Sequence, residues 1–359
     1  MKKLVSLLVV ALLSFLPYAF ACTTFFINKN GQLVFGRNYD WITSAGMVCT
    51  NLKGLAKTSA NNKPGEKSIS WISKYGSISF NQYGKEFPTG GMNETGLVVE
   101  LMWADGSKYP KPDNRPALGV LQWIQFLLDN YNSVEEVISS DSRIRISPDN
   151  PPLHYLVADA SGNVATIEFL DGKMVVHKGN ELPFPVLTNS SYDQSVKTAN
   201  ESNVLSGNPS MNFQDNSLVR FTKACSMVNS FQVKNINKPV IDFAFEILDT
   251  VSQKEFTKWS IVYDLKNKIV YFKTANYPEV KSVSFRAFDF QCPAVSKVLN
   301  MNQPMKGDVN AEFKTFNEEL NRAVLDKAIK ESKSQVPLTE KDEDGFILYA
   351  ESIHCKVDN

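Results

Sequence analysis

The sequence predicts an α+β fold in which antiparallel sheets are covered by helices, and three observations carry this reading. Two β-rich runs near the start are joined by Asn30-Gly31, a strong hairpin turn. Short strands then dominate up to Trp103 and return over Leu153 to Thr188 and Trp259 to Phe285. Helical periodicity is confined to separate blocks between and after them. Runs of strands separated from runs of helices, with hairpin-length links, favour antiparallel sheets over a doubly wound parallel fold. No sharp shift in composition divides the chain, so residues 22–359 are read as a single domain.

The first element is a leader. Met1-Lys2-Lys3 is basic, Leu4 to Phe20 is almost wholly apolar, and Ala19-Phe20-Ala21 is an A-x-A cleavage site before Cys22. This is the pattern of a secretory signal peptide over residues 1–21, with a mature chain of 359 minus 21, or 338, residues in the periplasm or outside the cell. An uncleaved membrane anchor is the alternative, but the run is short and Pro17 interrupts its end. A lipid-anchored cysteine is a second alternative. Bacterial lipoprotein signals generally carry Leu three residues before the cysteine and a small residue two before, where this chain has Ala19 and Phe20.

Cys22-Thr23-Thr24-Phe25-Phe26-Ile27 starts the first strand, and Gln32 to Arg37 forms its hairpin partner. Antiparallel pairing returns the far end of the second strand to the first residue of the first, which places Arg37 and Asp40 near the Cys22 sulfur and amine. Strands are expected at Val48–Leu52, Ser68–Ser73, Ser77–Phe80 and around the turn Asn93-Glu94-Thr95-Gly96, then a Pro-rich loop from Trp103 to Pro116. Ala117 to Tyr131 has helical periodicity, and Ser133 caps a shorter helix over Val134–Ser139. Turn signals at Ser161-Gly162-Asn163 and Asp171-Gly172 punctuate the next strands. Helices follow near Leu218–Ser230 and Val240–Val251, then strands at Trp259–Asp264, Ile269–Thr274 and Ser282–Phe285. Ala311 to Ser332 reads as a final helix whose stripe of Phe313, Phe316, Leu320, Ala323 and Val324 suits a docking or subunit-contact face.

Lys and Arg total 38 and Asp and Glu 38, so the formal charge is zero. Nothing in that balance suggests a nucleic-acid or anionic-membrane partner. His154, His177 and His354 are widely spread, without the spacing of a zinc site, and no phosphate loop, G-x-S-x-G elbow or H-E-x-x-H is present. No metal or cofactor is therefore expected. The five cysteines are Cys22, Cys49, Cys225, Cys292 and Cys355; an odd number in an oxidising compartment leaves at least one thiol free or paired between chains. Pairing is not readable from sequence. Cys292 with Cys355 is one possibility, and buried reduced cysteines are another.

An N-terminal cysteine would supply nucleophile and base together. Its α-amine titrates near working pH by its reference value and lies beside its own thiol, so it can take the thiol proton during attack and return it to the leaving amine. Arg37 would stabilise thiolate and Asp40 would orient the amine, whereas the plainer reading makes them a solvated ion pair.

Cys22-Thr23-Thr24 with Gly36-Arg37-Asn38-Tyr39-Asp40-Trp41 resembles the start of the choloylglycine hydrolase family, which contains bile salt hydrolases and penicillin V acylases. Further matching blocks follow in order at Gly91-Met92-Asn93-Glu94-Thr95-Gly96-Leu97, Leu187-Thr188-Asn189-Ser190, Ser217 to Phe221, and Trp259 to Asp264 with Tyr271 to Thr274. The stretch after Phe290 matches poorly. The resemblance implies the N-terminal nucleophile hydrolase fold, an αββα sandwich of two antiparallel sheets, and a homotetramer. It implies Cys22 as nucleophile, Arg37 and Arg220 flanking the sulfur, Asp40 orienting it, and Asn189 with the Trp103 backbone N–H as oxyanion hole. Bile salt hydrolases usually have Asn at the Trp103 position and penicillin V acylases Tyr. Trp103 favours a flat or apolar acyl group and looks more similar to penicillin V acylases of Gram-negative bacteria, some of which also cleave N-acyl homoserine lactones. Trp41 lines the same pocket or belongs to the core. The expected partner is a small N-acyl amide. Conjugated bile salts are the alternative substrate, and a lipid-anchored, inactive binding protein is the alternative function.

Overall fold

The described residues of the computed structural model are 22–60, 65–206, 216–234, 236–336 and 338–356, so the expected leader lies outside them. The first half of the chain is mostly strand: β1 (Thr23–Lys29), β2 (Gln32–Asp40), β3 (Met47–Asn51), β4 (Leu55–Thr58), β5 (Ser70–Ile72), β6 (Ser77–Asn81), β7 (Pro88–Asn93) and β8 (Val98–Trp103). A short β9 (Ala117–Leu118) leads into helices α1 (Val120–Asn130) and α2 (Val134–Ser139), and β10 (Arg145–Ile146) pairs back with β9. Next come β11 (Leu153–Ala158), β12 (Val164–Leu170), β13 (Lys173–Lys178), β14 (Val186–Leu187), α3 (Tyr192–Glu201), α4 (Asn216–Val233) and α5 (Val240–Thr250). The chain continues through β15 (Thr257–Asp264), β16 (Ile269–Thr274), β17 (Lys281–Ser284), β18 (Lys297–Asn300), β19 (Gly307–Asp308) and β20 (Lys314–Thr315). It closes with α6 (Glu318–Ser332), α7 (Glu340–Ser352) and β21 (His354–Cys355).

Two large sheets account for most strands among the described residues. One runs β14-β1-β2-β15-β16-β17-β19, and the other β13-β12-β11-β8-β7-β6-β3-β18-β20; all their neighbours are antiparallel except β17 and β19. Helices α4 and α5 pack on the first sheet, with α3 against α4, while α1 packs on β7 and β8 of the second. The result is an αββα sandwich. Aromatic rings tie the sheets together: Phe80 of the second meets Tyr263 and Phe272 of the first at centroid distances of 6.2 and 5.7 Å. Edge-on pairs at this separation add to the apolar area they bury.

The opening hairpin follows from its turn. Asn30 and Gly31 both adopt positive φ, 52° and 78°, as a two-residue primed turn requires. The register pairs Thr24 with Arg37 and Phe25 with Gly36. A Cβ on Gly36 would lie 2.3 Å from the Phe25 ring, so only glycine lets that ring lie flat across the strand pair.

Several local expectations shift. Helix α1 starts at Val120, because Ala117 and Leu118 are taken by the ladder with β10. Ser133 caps α2 by accepting a hydrogen bond from the Glu136 N–H. Helices α3 and α7, polar along most of their length, were not anticipated. The final predicted helix begins only at Glu318, where the Asn317 side chain accepts from Leu320 N–H. Most of its apolar stripe is taken up within this chain, Ala323 alone of the five residues being exposed. Val324 is buried in this chain's own core with Leu325, Ala328 and Ile329, Phe313 is buried 4.8 Å from the Phe288 ring, and Phe316 and Leu320 pack alongside. Cys292 and Cys355 form a disulfide with Cα atoms 5.8 Å apart, while Cys22, Cys49 and Cys225 are free and buried.

Candidate active site

The site forms where β1 begins, β2 ends and β8 outruns β7. A cavity of about 460 Å³ opens there, lined mainly by apolar groups and including Cys22, Asp40, Trp41 and Trp103. That volume lies within the usual range of small-molecule pockets. Cys22 is 4% exposed, and its thiol donates weakly to the Asp40 carbonyl at 4.0 Å. Burial pushes the thiol pKa up; the Arg37 guanidinium pulls it down and the Asp40 charge raises it again. Arg37 favours thiolate as expected, but desolvation is the larger effect.

Arg37 is not a solvated surface cation. It is fully buried, paired with Glu100 of β8, and donates to the carbonyl oxygens of Thr89 at 3.0 Å and Leu101 at 3.1 Å. The Tyr263 hydroxyl donates to the other oxygen of Glu100. Burial raises the Glu100 carboxyl to about 7 against the pull of Arg37 and Tyr263. Glu100 needs room: a Cβ on Gly90, its partner across β7 and β8, would lie 1.9 Å from its Oε2. Sequence reasoning missed this carboxylate, although a lone acid among Val98, Val99, Leu101 and Met102 was a visible anomaly.

Asp40 is also fully buried. Thr257 donates to its Oδ1 at 2.5 Å, and Oδ2 has no hydrogen-bond partner among the described residues. Burial lifts the Asp40 carboxyl to about 7, opposed chiefly by Arg220, then by Thr257 and Arg37.

Arg220, on α4, addresses the backbone of Cys22 and its neighbour. One guanidinium nitrogen donates to the Cys22 carbonyl at 2.6 Å and the Thr23 hydroxyl at 2.5 Å; the other donates to Asn189 Oδ1 at 2.9 Å. Asn189 in turn donates through Nδ2 to the Trp103 carbonyl at 2.8 Å. The Arg220 contact fixes the amide orientation, and an amide nitrogen carries a second hydrogen for another acceptor. The Asn189 loop is set from behind. Ser217 Oγ accepts from the N–H groups of Asn189 at 3.0 Å and Ser190 at 2.9 Å, and buried His154 contacts the Thr188 carbonyl at 2.6 Å. His154 therefore serves the scaffold.

Ala104 N–H donates to Pro152, towards β11. Strand alternation turns the polar backbone groups of Leu101 and Trp103 the other way, towards Arg37 and Asn189, whose bonds to those carbonyls show it. The Trp103 N–H lies on the same side of β8 as its carbonyl, which Asn189 reaches. The Trp41 and Trp103 rings lie 6.1 Å apart in the cavity wall, and Trp41 Nε1 donates to the Tyr83 hydroxyl at 2.9 Å. The structure brings Cys22, Arg37, Asp40, Trp41, Trp103, Asn189 and Arg220 together. Among the described residues no group of His, Cys, Asp and Glu could hold a metal ion.

Two antiparallel sheets between helical layers, with a cysteine opening the first central strand, define the N-terminal nucleophile hydrolase class of fold. The family described as linear amide C–N hydrolases, choloylglycine hydrolase family, matches residues 22–298, and the chain belongs to it. It is a linear amide C–N hydrolase. Penicillin V acylase of Pectobacterium atrosepticum is 28% identical, over 63% of this chain and 70% of that protein. The structure of penicillin V acylase from Agrobacterium tumefaciens superposes with a TM-score of 0.72 at 27% identity, covering 82% of this chain and 98% of its own. A variant of conjugated bile acid hydrolase from Clostridium perfringens shares the fold, with a TM-score of 0.66 at 19% identity over 79% of this chain and 98% of its own.

Proposed function

We propose that the chain is exported, that cleavage after Ala21 makes Cys22 the N-terminal residue, and that its thiol hydrolyses the linear amide of N-acyl compounds such as penicillin V or N-acyl homoserine lactones. The observation that carries this reading is the placement of Cys22 in the wall of an apolar cavity, flanked by Arg37, Asp40 and the Asn189–Arg220 pair. Site, periplasmic or extracellular location and homotetrameric assembly belong to the same proposal. The Cys292–Cys355 disulfide supports export, because such bonds persist chiefly in oxidising compartments.

In the proposed reaction the freed amine takes the thiol proton as Sγ attacks the acyl carbon. Asp40 Oδ2, buried without a hydrogen-bond partner among the described residues, is proposed as the acceptor for the charged amine. The oxyanion receives the second Nδ2 hydrogen of Asn189 and the Trp103 N–H. The C–N bond breaks as the ammonium returns its proton to the leaving amine, leaving a thioester. Water gives a proton to the same amine as it adds to the thioester carbon; the C–S bond then breaks, the ammonium returns that proton to Sγ, and the carboxylic acid departs. Every proton is accounted for within the site, without a cofactor.

The test is the intact mass of the processed protein together with a Cys22→Ser variant. A chain beginning at unmodified Cys22, with turnover lost in the variant, is expected. A diacylglycerol adduct on Cys22 would instead make it a lipid-anchored binding protein, and an unchanged rate in the variant would remove the nucleophile. Turnover of penicillin V, a long-chain acyl homoserine lactone and glycocholate distinguishes substrates; strong preference for glycocholate would move the assignment to bile salts.

A further inference from the structure

We infer that the C-terminal appendage, which lies beyond the family match, forms the far wall of the acyl pocket and selects acyl groups by length, through Leu338 and Phe346. The inference rests on the reading of Cys22 given above. The family match ends at residue 298, yet Leu338, Asp342 and Phe346, from α7 and the segment just before it, line the same cavity as Cys22.

The wall is apolar where it faces the cavity. Phe346 meets the Phe87 ring edge-on at 4.6 Å, and Phe87 itself lines the cavity beside Leu121. Asp342 is the acid of this stretch, and its Oδ2 turns back on the chain: it accepts from the Thr339 N–H at 2.8 Å and the Thr339 hydroxyl at 2.6 Å, closing a capping box at the start of α7. An acyl group running from Cys22 towards α7 thus meets hydrocarbon, which favours alkyl or arylalkyl chains over polar ones.

The wall is also held in place. Tyr349 OH donates to the Thr58 carbonyl at 2.8 Å and accepts from Gln122 Nε2 at 2.6 Å. Beyond α7, β21 pairs with β4, and Cys355 is bonded to Cys292. Helix α6 is linked to the site by a relay in which Trp41 Nε1 donates to Tyr83 and Tyr83 donates to Ser332 Oγ, both at 2.9 Å. A wall fixed at both ends imposes a length limit, whereas a loose flap would yield to a longer chain.

The experiment measures kcat/KM of the processed enzyme for N-acyl homoserine lactones from hexanoyl to tetradecanoyl, in wild type, Phe346→Ala, Phe346→Trp and Leu338→Ala. The dodecanoyl-to-hexanoyl ratio is expected to rise about tenfold or more in F346A and L338A and to fall by a similar factor in F346W, the range one or a few methylenes command in an apolar pocket. Opposite shifts from the smaller and the larger side chain separate a changed wall from a damaged fold. Ratios within about threefold of wild type in all three variants, with turnover still abolished by Cys22→Ala, would overturn the inference and leave the nucleophile reading intact. A wild-type enzyme that cleaves no acyl amide would overturn both, and is recognised by its own silence.

Discussion

Asn189 Oδ1 accepts a hydrogen bond from the Arg220 guanidinium at 2.9 Å, and this contact decides which face of the amide the site receives. Under the proposed mechanism Asn189→Ala removes one oxyanion donor, and it is expected to lower kcat about 10²- to 10³-fold with little change in KM. Arg220→Lys keeps the charge but cannot reach the Cys22 carbonyl, the Thr23 hydroxyl and Asn189 together, so a loss on the order of tenfold in kcat is expected. Steady-state kinetics on one substrate checks both.

The Asp40 carboxyl, raised by burial to about 7, ties stability to pH. Its folded pKa lies above the unfolded value of 3.8, so the fold retains a proton that the unfolded chain releases. Its contribution is complete below about pH 4 and is lost as pH climbs through 7. The unprocessed chain should therefore lose Tm between pH 5 and pH 8, and Asp40→Asn should flatten that slope. If, as proposed, processing leaves the Cys22 ammonium to pair with Asp40, the Asp40 pKa falls in the processed chain and the slope should shrink without mutation. Thermal melts of the three proteins at four pH values test this.

Glu100 and Arg37 neutralise one another with no exposed side-chain surface. Glu100→Leu alone leaves a buried guanidinium uncompensated and should cost about 3–5 kcal/mol, read as a lowered urea midpoint. The Arg37→Met/Glu100→Leu double variant should recover much of that loss, because the desolvated charge is gone. Cys22 alkylation in the double variant should need higher pH than in wild type, since the guanidinium that favours thiolate is absent.

Removing the disulfide by Cys355→Ser opens a loop closed over a separation of 63 residues. Chain entropy alone puts the cost at roughly 4 kcal/mol, an upper figure. Proteolysis under native conditions should then cut first near α7, which loses its C-terminal tether while the sandwich stays closed.

The parts legible in the sequence were those set by neighbours along the chain. Asn30-Gly31 dictates the β1–β2 hairpin, and the hairpin alone carries Arg37 and Asp40 to Cys22. Ser133 announces its helix in the same way. Glu100 escaped because its meaning lies in a contact between two sheets, which no periodicity of one strand reveals. Helices α3 and α7 escaped because each buries only a narrow strip, Tyr192, Ser195 and Ala199 in one and Ile347 and Ala350 in the other. The Thr339…Asp342 pair was a readable start for α7. That this helix closes the cavity was not readable, since tertiary docking decides it.

The pairing of β21 with β4 has a consequence for biosynthesis. Cys22 leaves the ribosome early, whereas Leu338, Phe346 and Cys355 follow more than three hundred residues later. A growing chain can lay down the hairpin that carries Cys22, but its cavity stays open on one side until the last segment arrives. On the proposed reading, the group that reacts and the wall that measures the acyl chain are thus completed at different moments in the life of the molecule.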